Sequence, residues 1–401
     1  CTESASATLE KELLKRLTSP KWIVPVVLVI AVPLGRLLLN FGTDIYVVET
    51  PISASPFDCG APAVDAVRFA VIGDYGAAGK IEADVAALVN GWDVDFIVTL
   101  GDNNYPDGEA ETIDDNIGQY YQAYIHPYYG RYGAGAAENR FWPALGNHDW
   151  NTGSIEAYLQ YFTLPGNERY YELERGPVHL FVLDSDGQEP DGQTKDSAQA
   201  DWLRSLMTAS NAPWKLVFMH HPPYSSTFRR GTEEMRWPFA EWGADAVLAG
   251  HDHLYERFQA DGIPHFINGL GGNSRVHRFL LPVPESIVRY NRDWGAQLVT
   301  ADERCINFSM VSRKGELVDS LTLTKWNVGI VLSCIVGQGL WRRETEIWPC
   351  VNALGKSLEA TLSDKIAVKW GGRWVVTVTT GWSSANSVSI PKTDGRRKTA
   401  Q

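Results

Sequence analysis

The chain has 401 residues, a formal net charge of −12, and 44% hydrophobic against 21% charged residues. These proportions supply a large core and exclude global disorder, and the length accommodates two or three domains or one large α/β domain with appendages. The acidic balance excludes broad nucleic-acid coating, although the charge is uneven: residues 326–401 hold 10 Lys+Arg against 5 Asp+Glu, residues 1–49 hold five of each, and residues 50–325 carry the remaining −17.

At the start of the chain, Lys11, Lys15, Arg16 and Lys21 precede an uncharged, mostly aliphatic run at 22–35, and Leu37, Leu38 and Leu39 follow Arg36. A basic flank before an apolar run is the pattern of a signal peptide or membrane anchor, here within 22–41 of an N-terminal tail 1–49. Pro25, Pro33 and the short uninterrupted run leave a buried strand or hairpin as the competing reading. Positive-inside logic places the rest of the protein outside the cytoplasm, secreted or membrane-anchored. Residues 50–65 read as a linker. The five cysteines (Cys1, Cys59, Cys305, Cys334 and Cys350) include no CxxC pair, which speaks against a zinc-finger or thioredoxin-type site.

From residue 67 the text becomes a series of short aliphatic runs, at 67–73, 95–101, 141–146, 178–184, 214–220 and 244–250. Bounded by Gly, Pro and Asp, they read as buried strands. Apolar residues at helical spacing mark 81–89, 154–162 and 197–207, so strands and helices alternate as in a layered α/β fold. Beyond His253 the helices disappear, and 264–268, 297–300, 306–312 and 317–324 read as antiparallel strands. Residues 66–325 thus form one candidate catalytic domain. The segment 326–401 holds no metal or nucleophile motif, and its stretch 374–380 reads as a strand.

The polar residues fall at strand ends. In order stand Gly73-Asp74-Tyr75-Gly76, Gly101-Asp102-Asn103-Asn104-Tyr105, Gly146-Asn147-His148-Asp149, Val217-Phe218-Met219-His220 and Gly250-His251-Asp252-His253. A single strand-end Asp is ordinarily a turn residue, but five strands delivering ligand-type side chains to one rim match the ligand-binding edge of open α/β sheets. The glycines are expected to let each strand end turn sharply. Two carboxylates, a phenol, an amide and three imidazoles make a mixed oxygen and nitrogen set suited to two metal ions with one carboxylate bridging.

On these residues the sequence resembles the calcineurin-like metallophosphoesterases, and within them the purple acid phosphatases. The wider superfamily opens with Asp-x-His and continues with Gly-Asp-x-x-Asp/Asn; Gly76 in place of that His, together with Tyr105, marks the purple acid phosphatase branch. The resemblance covers roughly 67–324 and implies a layered α/β/β/α sandwich with mixed sheets. It assigns Asp74, Asp102, Tyr105 and His253 to a ferric ion, with Asp102 bridging and Asn147, His220 and His251 completing a site for divalent Fe, Zn or Mn. It implies an acid phosphatase that hydrolyses phosphomonoesters of small substrates with metal-activated hydroxide as nucleophile. A phenolate on Fe(III) would give a visible charge-transfer band.

His148 is the candidate proton donor to the leaving group and, with Asn147, a candidate substrate contact. Asp149 and Asp252 are candidate acceptors for ligand imidazole N–H groups, with a helix or turn cap as the alternative for Asp149. Where related enzymes carry a further histidine, this chain reads Thr227-Phe228-Arg229-Arg230. Arg229 or Arg230 is the candidate phosphate binder, a solvated Arg pair being the alternative; an arginine cannot donate the proton. His221 reads as a neighbour of the ligands or simply exposed; His126, His179, His265 and His277 read as structural. The tyrosines at 120, 121, 124, 128, 129 and 132 read as packing of a long insert, 103–140, that borders the site, with an aromatic cleft as the alternative. Rival functions are a phosphodiesterase or nucleotide pyrophosphatase on the same centre, a membrane-anchored binding protein with an inactive site, and redox chemistry at the iron pair.

Overall fold

A computed structural model describes residues 66–280 and 282–325, and the backbone of 364–370 and 374–380. The segment 22–41 and the linker 50–65 lie outside the described residues, as do Cys1, Cys59, Cys334 and Cys350. The chain divides into two compact units, Cys1–Lys325 and Trp326–Gln401. Within the second, β14 (Asp364–Trp370) and β15 (Trp374–Thr380) pair antiparallel, with Trp370 opposite Trp374.

The first unit is built on two mixed sheets. One has six strands in the order β13-β12-β11-β1-β2-β3. Here β1 (Val67–Ile72), β2 (Phe96–Thr99) and β3 (Phe141–Pro143) run parallel, and β11 (Gly295–Ala301), β12 (Cys305–Ser312) and β13 (Leu317–Thr324) continue antiparallel from the edge of β1. The other has seven, in the order β10-β8-β9-β7-β6-β5-β4. Its parallel centre is β5 (Val178–Val182), β6 (Trp214–Phe218), β7 (Ala246–Ala249) and β9 (Ile263–Asn268), flanked antiparallel by β4 (Tyr171–Arg175), β8 (Tyr255–Ala260) and β10 (Ser286–Tyr290). The run at 264–268, read as antiparallel, is antiparallel only to β8; its other edge lies parallel to β7.

The two-residue alternation of a strand explains the layering. Along β5 and β6 and the residue just past each, Leu180, Val182, Leu216 and Phe218 enter the core between the sheets, while Phe181, Leu183, Val217 and Met219 join an outer cluster with Leu203 and Met207. Phe69 of β1 meets Phe218 edge-on at 6.4 Å, and Phe266 of β9 meets Phe308 of β12 at 4.9 Å, joining the two sheets. Each fully buried side chain of this size contributes roughly 1.5–3 kcal/mol.

Helices cover both outer faces. Helix α1 (Lys80–Asn90) buries Val85, Ala86 and Val89 on the six-stranded side. Two short helices, α2 (Asn147–Trp150) and α3 (Glu156–Tyr161), follow β3. Helix α4 (Ala198–Ala209) starts where the Ser197 hydroxyl accepts the Ala200 N–H, a side-chain N-cap. With α5 (Phe239–Trp242) it covers the seven-stranded sheet. The result is the α/β/β/α sandwich that the resemblance implies. It leaves the carboxyl ends of β1, β2, β3, β6 and β7 beside one another.

Candidate metal centre

Every strand-end residue singled out in the sequence arrives at this rim. Asp74, Asp102 and His251 follow their strands in the left-handed backbone region, at φ 55°, 53° and 68°. The ligand-type residues therefore make the turns themselves, a conformation Asp and His tolerate better than most side chains. The preceding glycines serve mainly a different purpose. A Cβ on Gly250 would sit 2.6 Å from Asp74 Oδ2, one on Gly73 would sit 2.6 Å from the Asn268 carbonyl, and one on Gly146 would collide with the Asp102 backbone. Close approach of strand ends, rather than turning, requires glycine at these three positions; only Gly101 adds a positive φ of its own.

Two groups of side chains form around Asp102. The Tyr105 hydroxyl lies 2.8 Å from Asp102 Oδ2, 3.4 Å from Asp74 Oδ1 and 3.2 Å from His253 Nε2, and His253 Nε2 lies 3.2 Å from Asp74 Oδ1. On the other side, His220 Nε2 lies 3.3 Å from Asp102 Oδ1, 3.1 Å from Asn147 Oδ1 and 3.2 Å from His251 Nδ1. One oxygen of Asp102 thus faces each group. Asp74, Asp102 and His220 are at most 1% exposed.

The imidazoles are held by backbone carbonyls. His220 Nδ1 lies 2.7 Å from the Leu100 carbonyl and His253 Nδ1 lies 2.7 Å from the Arg275 carbonyl. A ring N–H must donate there, which leaves each Nε2 lone pair facing inward. The expected carboxylate acceptors are otherwise engaged. Asp149 accepts the Gly146 N–H at 2.8 Å and the Asn103 backbone and side-chain N–H groups, capping the start of α2. Burial and the neighbouring Asp102 push it up to about 7. Asp252 accepts the Ser225 and Thr227 hydroxyls and pairs with Arg229 at 3.1 Å.

The electrostatics fit a cation-binding centre. Burial opposes ionisation of Asp74, yet His253, His220 and the His251 N–H hold its carboxyl below the usual range. Burial pushes His251 well below the ordinary histidine value, and the neighbouring His220 adds to this, keeping it a neutral donor. Burial and the charges of Asp102 and Asp74 hold the Tyr105 phenol well above its normal value, so a phenolate at this position demands a compensating cation. Asp74, Asp102 and His220, and likewise His220, His221 and His251, place ligand atoms within 4.8 Å of one another. Hard anionic oxygens on one side and neutral nitrogen and amide donors on the other form a donor set that fits metal ions.

The remaining candidates divide. His148, about one-third exposed, packs at a tilt against Tyr105 with ring centroids 4.4 Å apart, with its Nε2 3.9 Å from Asp102 Oδ2 and its Nδ1 on the Pro106 carbonyl. Arg229 is joined to the centre through Asp252, so it is not simply a solvated residue; Arg230 lies on the exposed side of the same loop at φ 63°. His221 is neither a plain surface residue nor remote: its ring lies 4.5 Å from that of His251. His126, His179 and His265 lie outside the rim. His277, which also read as structural, stacks on His253 at 4.3 Å and accepts the His253 backbone N–H, a proximity that a sequence separation of 24 conceals.

The tyrosine cluster follows the packing reading except at Tyr129, which is 87% exposed. Tyr121 and Tyr124 are buried, and Tyr128 and Tyr161 both donate to Asp114 at 2.6 and 2.9 Å. The insert does border the site, through Tyr105 and the Pro106 carbonyl that holds His148.

Residues 67–255 match the calcineurin-like phosphoesterase family. The chain is 27% identical to purple acid phosphatase 4 of Arabidopsis thaliana over 243 residues, 53% of this chain and 69% of that one. It is 25% identical to human tartrate-resistant acid phosphatase type 5 over 295 residues, 63% of this chain and 87% of that one. Among solved structures, purple acid phosphatase PPD1 from yellow lupin aligns at TM-score 0.53 with 17% identity, covering 66% of this chain and 55% of that one. GAP50, the anchor in the inner membrane complex of Plasmodium, aligns at TM-score 0.52 with 20% identity, covering 65% and 90%. Both likenesses concern the fold. Together, the family match and the acid phosphatase relatives show that this chain carries a calcineurin-like phosphoesterase domain, similar to the purple acid phosphatases, and is a metal-dependent phosphatase.

Proposed function

We propose that residues 66–325 form the catalytic domain of an acid phosphatase that hydrolyses phosphomonoesters at a binuclear metal centre. The observation that carries this reading is the division of Asp102, with Oδ2 toward Tyr105 and Oδ1 toward His220. In this reading Asp74, Asp102, Tyr105 and His253 hold Fe(III), and Asp102, Asn147, His220 and His251 hold a divalent Fe, Zn or Mn. Bound there, such a pair would supply Lewis acidity, lowering the pKa of water for the attack and offsetting charge on the phosphoryl oxygens.

The protein's own groups then orient and protonate. His148 is tethered through Nδ1 to the Pro106 carbonyl, which leaves Nε2 at the open side of the rim to protonate the leaving alkoxide. Its neighbour Asn147 and the Arg229-Arg230 pair bind phosphate oxygens; Arg229 is held on the rim by Asp252. The buried His220 and His253, fixed through Leu100 and Arg275, keep their lone pairs inward without reorganising. An extracytoplasmic location is part of the proposal. It is supported by the disulfide at Cys305 and by the basic-then-apolar text of 22–41. Among the described residues no helix is long and apolar enough to cross a membrane.

Metal analysis and a visible spectrum of the purified protein, with rates on p-nitrophenyl phosphate and its bis ester, test the proposal. Two metals per chain, a visible band lost in Tyr105→Phe, and preference for the monoester are expected. A single metal, or colour that survives Tyr105→Phe, overturns the ligand assignment. Faster hydrolysis of the bis ester assigns the centre to diesters instead.

A further inference from the structure

Two loops beside the candidate metal centre share an unusual surface. The first, residues 224–231, exposes Phe228 at 72%, with Arg229 and Arg230 following it. The second, residues 273–284, exposes Leu280 at 56% and carries exposed Arg275 and Arg278. They are tied together: the Leu280 N–H donates to the Ser226 carbonyl at 2.8 Å, and the Val283 N–H to the Ser226 hydroxyl at 3.1 Å. Both are anchored to the rim, the first through Arg229 and Asp252 and the second through the Arg275 carbonyl and His253. Residues 224–231 and 273–284 contain no Asp or Glu, although residues 50–325 as a whole carry −17; exposed Glu233 and Glu234 follow the first stretch and exposed Glu285 follows the second.

Phosphate binding in the centre accounts for the cations, and the Phe228 ring lies 5.3 Å from the Arg229 guanidinium, but neither explains why Phe228 stays 72% exposed with exposed Leu280 beside it. Most large aromatic side chains of the described residues are buried, and only five large hydrophobic residues among them are clearly exposed. Protruding apolar side chains flanked by cations match the demands of an anionic lipid surface, where the apolar groups enter the acyl boundary and the guanidinium groups meet lipid phosphates. A peptide partner would call for a groove, whereas these side chains project.

We infer that the surface formed by Phe228, Leu280 and the arginines at 229, 230, 275 and 278 docks the protein on an anionic membrane, with the rim of the metal centre facing the lipid. This is distinct from any role of 22–41 and does not depend on which phosphoester the centre hydrolyses.

The test is co-sedimentation of the full chain with phosphatidylcholine vesicles, with and without phosphatidylserine, for the wild type, the double variant Phe228→Ser/Leu280→Ser, and Arg278→Glu. Residues 22–41 are the same in all three, so differences isolate the rim. The wild type partitions to the serine-lipid vesicles more strongly than to phosphatidylcholine alone. The double variant lowers that partitioning about tenfold or more, and Arg278→Glu lowers it roughly fivefold or more. Both variants retain wild-type melting, and Arg278→Glu retains wild-type hydrolysis of soluble p-nitrophenyl phosphate. Equal partitioning of all three forms overturns the inference, as does wild-type binding to a soluble acidic phosphopeptide but not to vesicles. Failure of the wild type to hydrolyse p-nitrophenyl phosphate would count against the phosphatase proposal and leave the vesicle result to be read separately.

Discussion

Gly250→Ala is a single-methyl probe of how tightly the rim is assembled. The added Cβ would lie 2.6 Å from Asp74 Oδ2 and 2.7 Å from the Leu100 carbonyl. Restoring ordinary contact at 3.4 Å requires the neighbours to retreat by about 0.8 Å. Neither neighbour is free to do so. Asp74 Oδ2 accepts the His251 N–H at 2.8 Å, and the Leu100 carbonyl holds His220 Nδ1 at 2.7 Å. Overpacking of this kind costs roughly 1–3 kcal/mol, which for a domain of this size lowers the melting temperature by about 2–12 °C. A shift of about 1 Å at a reacting centre costs on the order of a hundredfold in rate. Thermal melts, metal content and initial rates on p-nitrophenyl phosphate measure all three effects. Gly187→Ala is the control, because its Cβ would meet nothing closer than 3.8 Å. If Gly250→Ala melts with Gly187→Ala and keeps full metal content and rate, the close-approach account of these glycines is wrong.

Two further outcomes follow from the scaffold. Phe218→Ala empties the point where β6 meets Phe69 of the other sheet, and should cost about 3–5 kcal/mol in chemical denaturation; a loss under about 1 kcal/mol would mean the sheets are not joined there. Asp293 sits with Arg313 at 2.7 Å and Lys314 at 2.8 Å, and although burial opposes it, these cations and the Trp294 N–H hold its carboxyl below the usual range. A depressed carboxyl stabilises the fold above its unfolded value near about 3.9, and the contribution is lost as pH falls through the folded value. Asp293→Asn should therefore be less stable than wild type at neutral pH, with the difference closing as pH falls below about 4. A gap that persists unchanged at low pH would rule out the ionic account.

The sequence announces the central strands clearly because each is a short apolar run that stops at Asp, Asn or His, preceded by Gly after β1, β2, β3 and β7, and the same punctuation delivers the rim residues. What it hides is of two kinds. The strands β4 and β8 are masked by charge: β4 reads Tyr-Glu-Leu-Glu-Arg, and β8 buries Glu256 and Arg257, made tolerable by Ser226 and Ser286 on one and Asp319 on the other. Those partners are 30 to 62 residues away, beyond any local pattern. The other kind is backbone. The groups that orient His220 and His253 are carbonyls of Leu100 and Arg275, and a carbonyl has no signature in a side-chain alphabet, so carboxylates were the natural expectation and Asp149 and Asp252 stood nearest in the text. His277 belongs with these, brought to His253 by a loop rather than by a strand.

The left-handed backbone at Asp74, Asp102 and His251 gives the rim a second meaning. Such conformations cost of order 1–3 kcal/mol each in a residue that bears a Cβ, and here they coincide with burial of two carboxylates. Glycine at any of the three would relax the backbone, and at Asp74 or Asp102 it would also remove a buried charge. Random mutagenesis screened only for folding would therefore drift toward losing these side chains. Their presence marks places where the scaffold is held below its attainable stability, and ions that bind only the folded form would return part of the deficit by mass action. Stability in this protein is therefore tied to metal supply: the same polypeptide should be a sturdier object in a metal-rich compartment than in a chelating one.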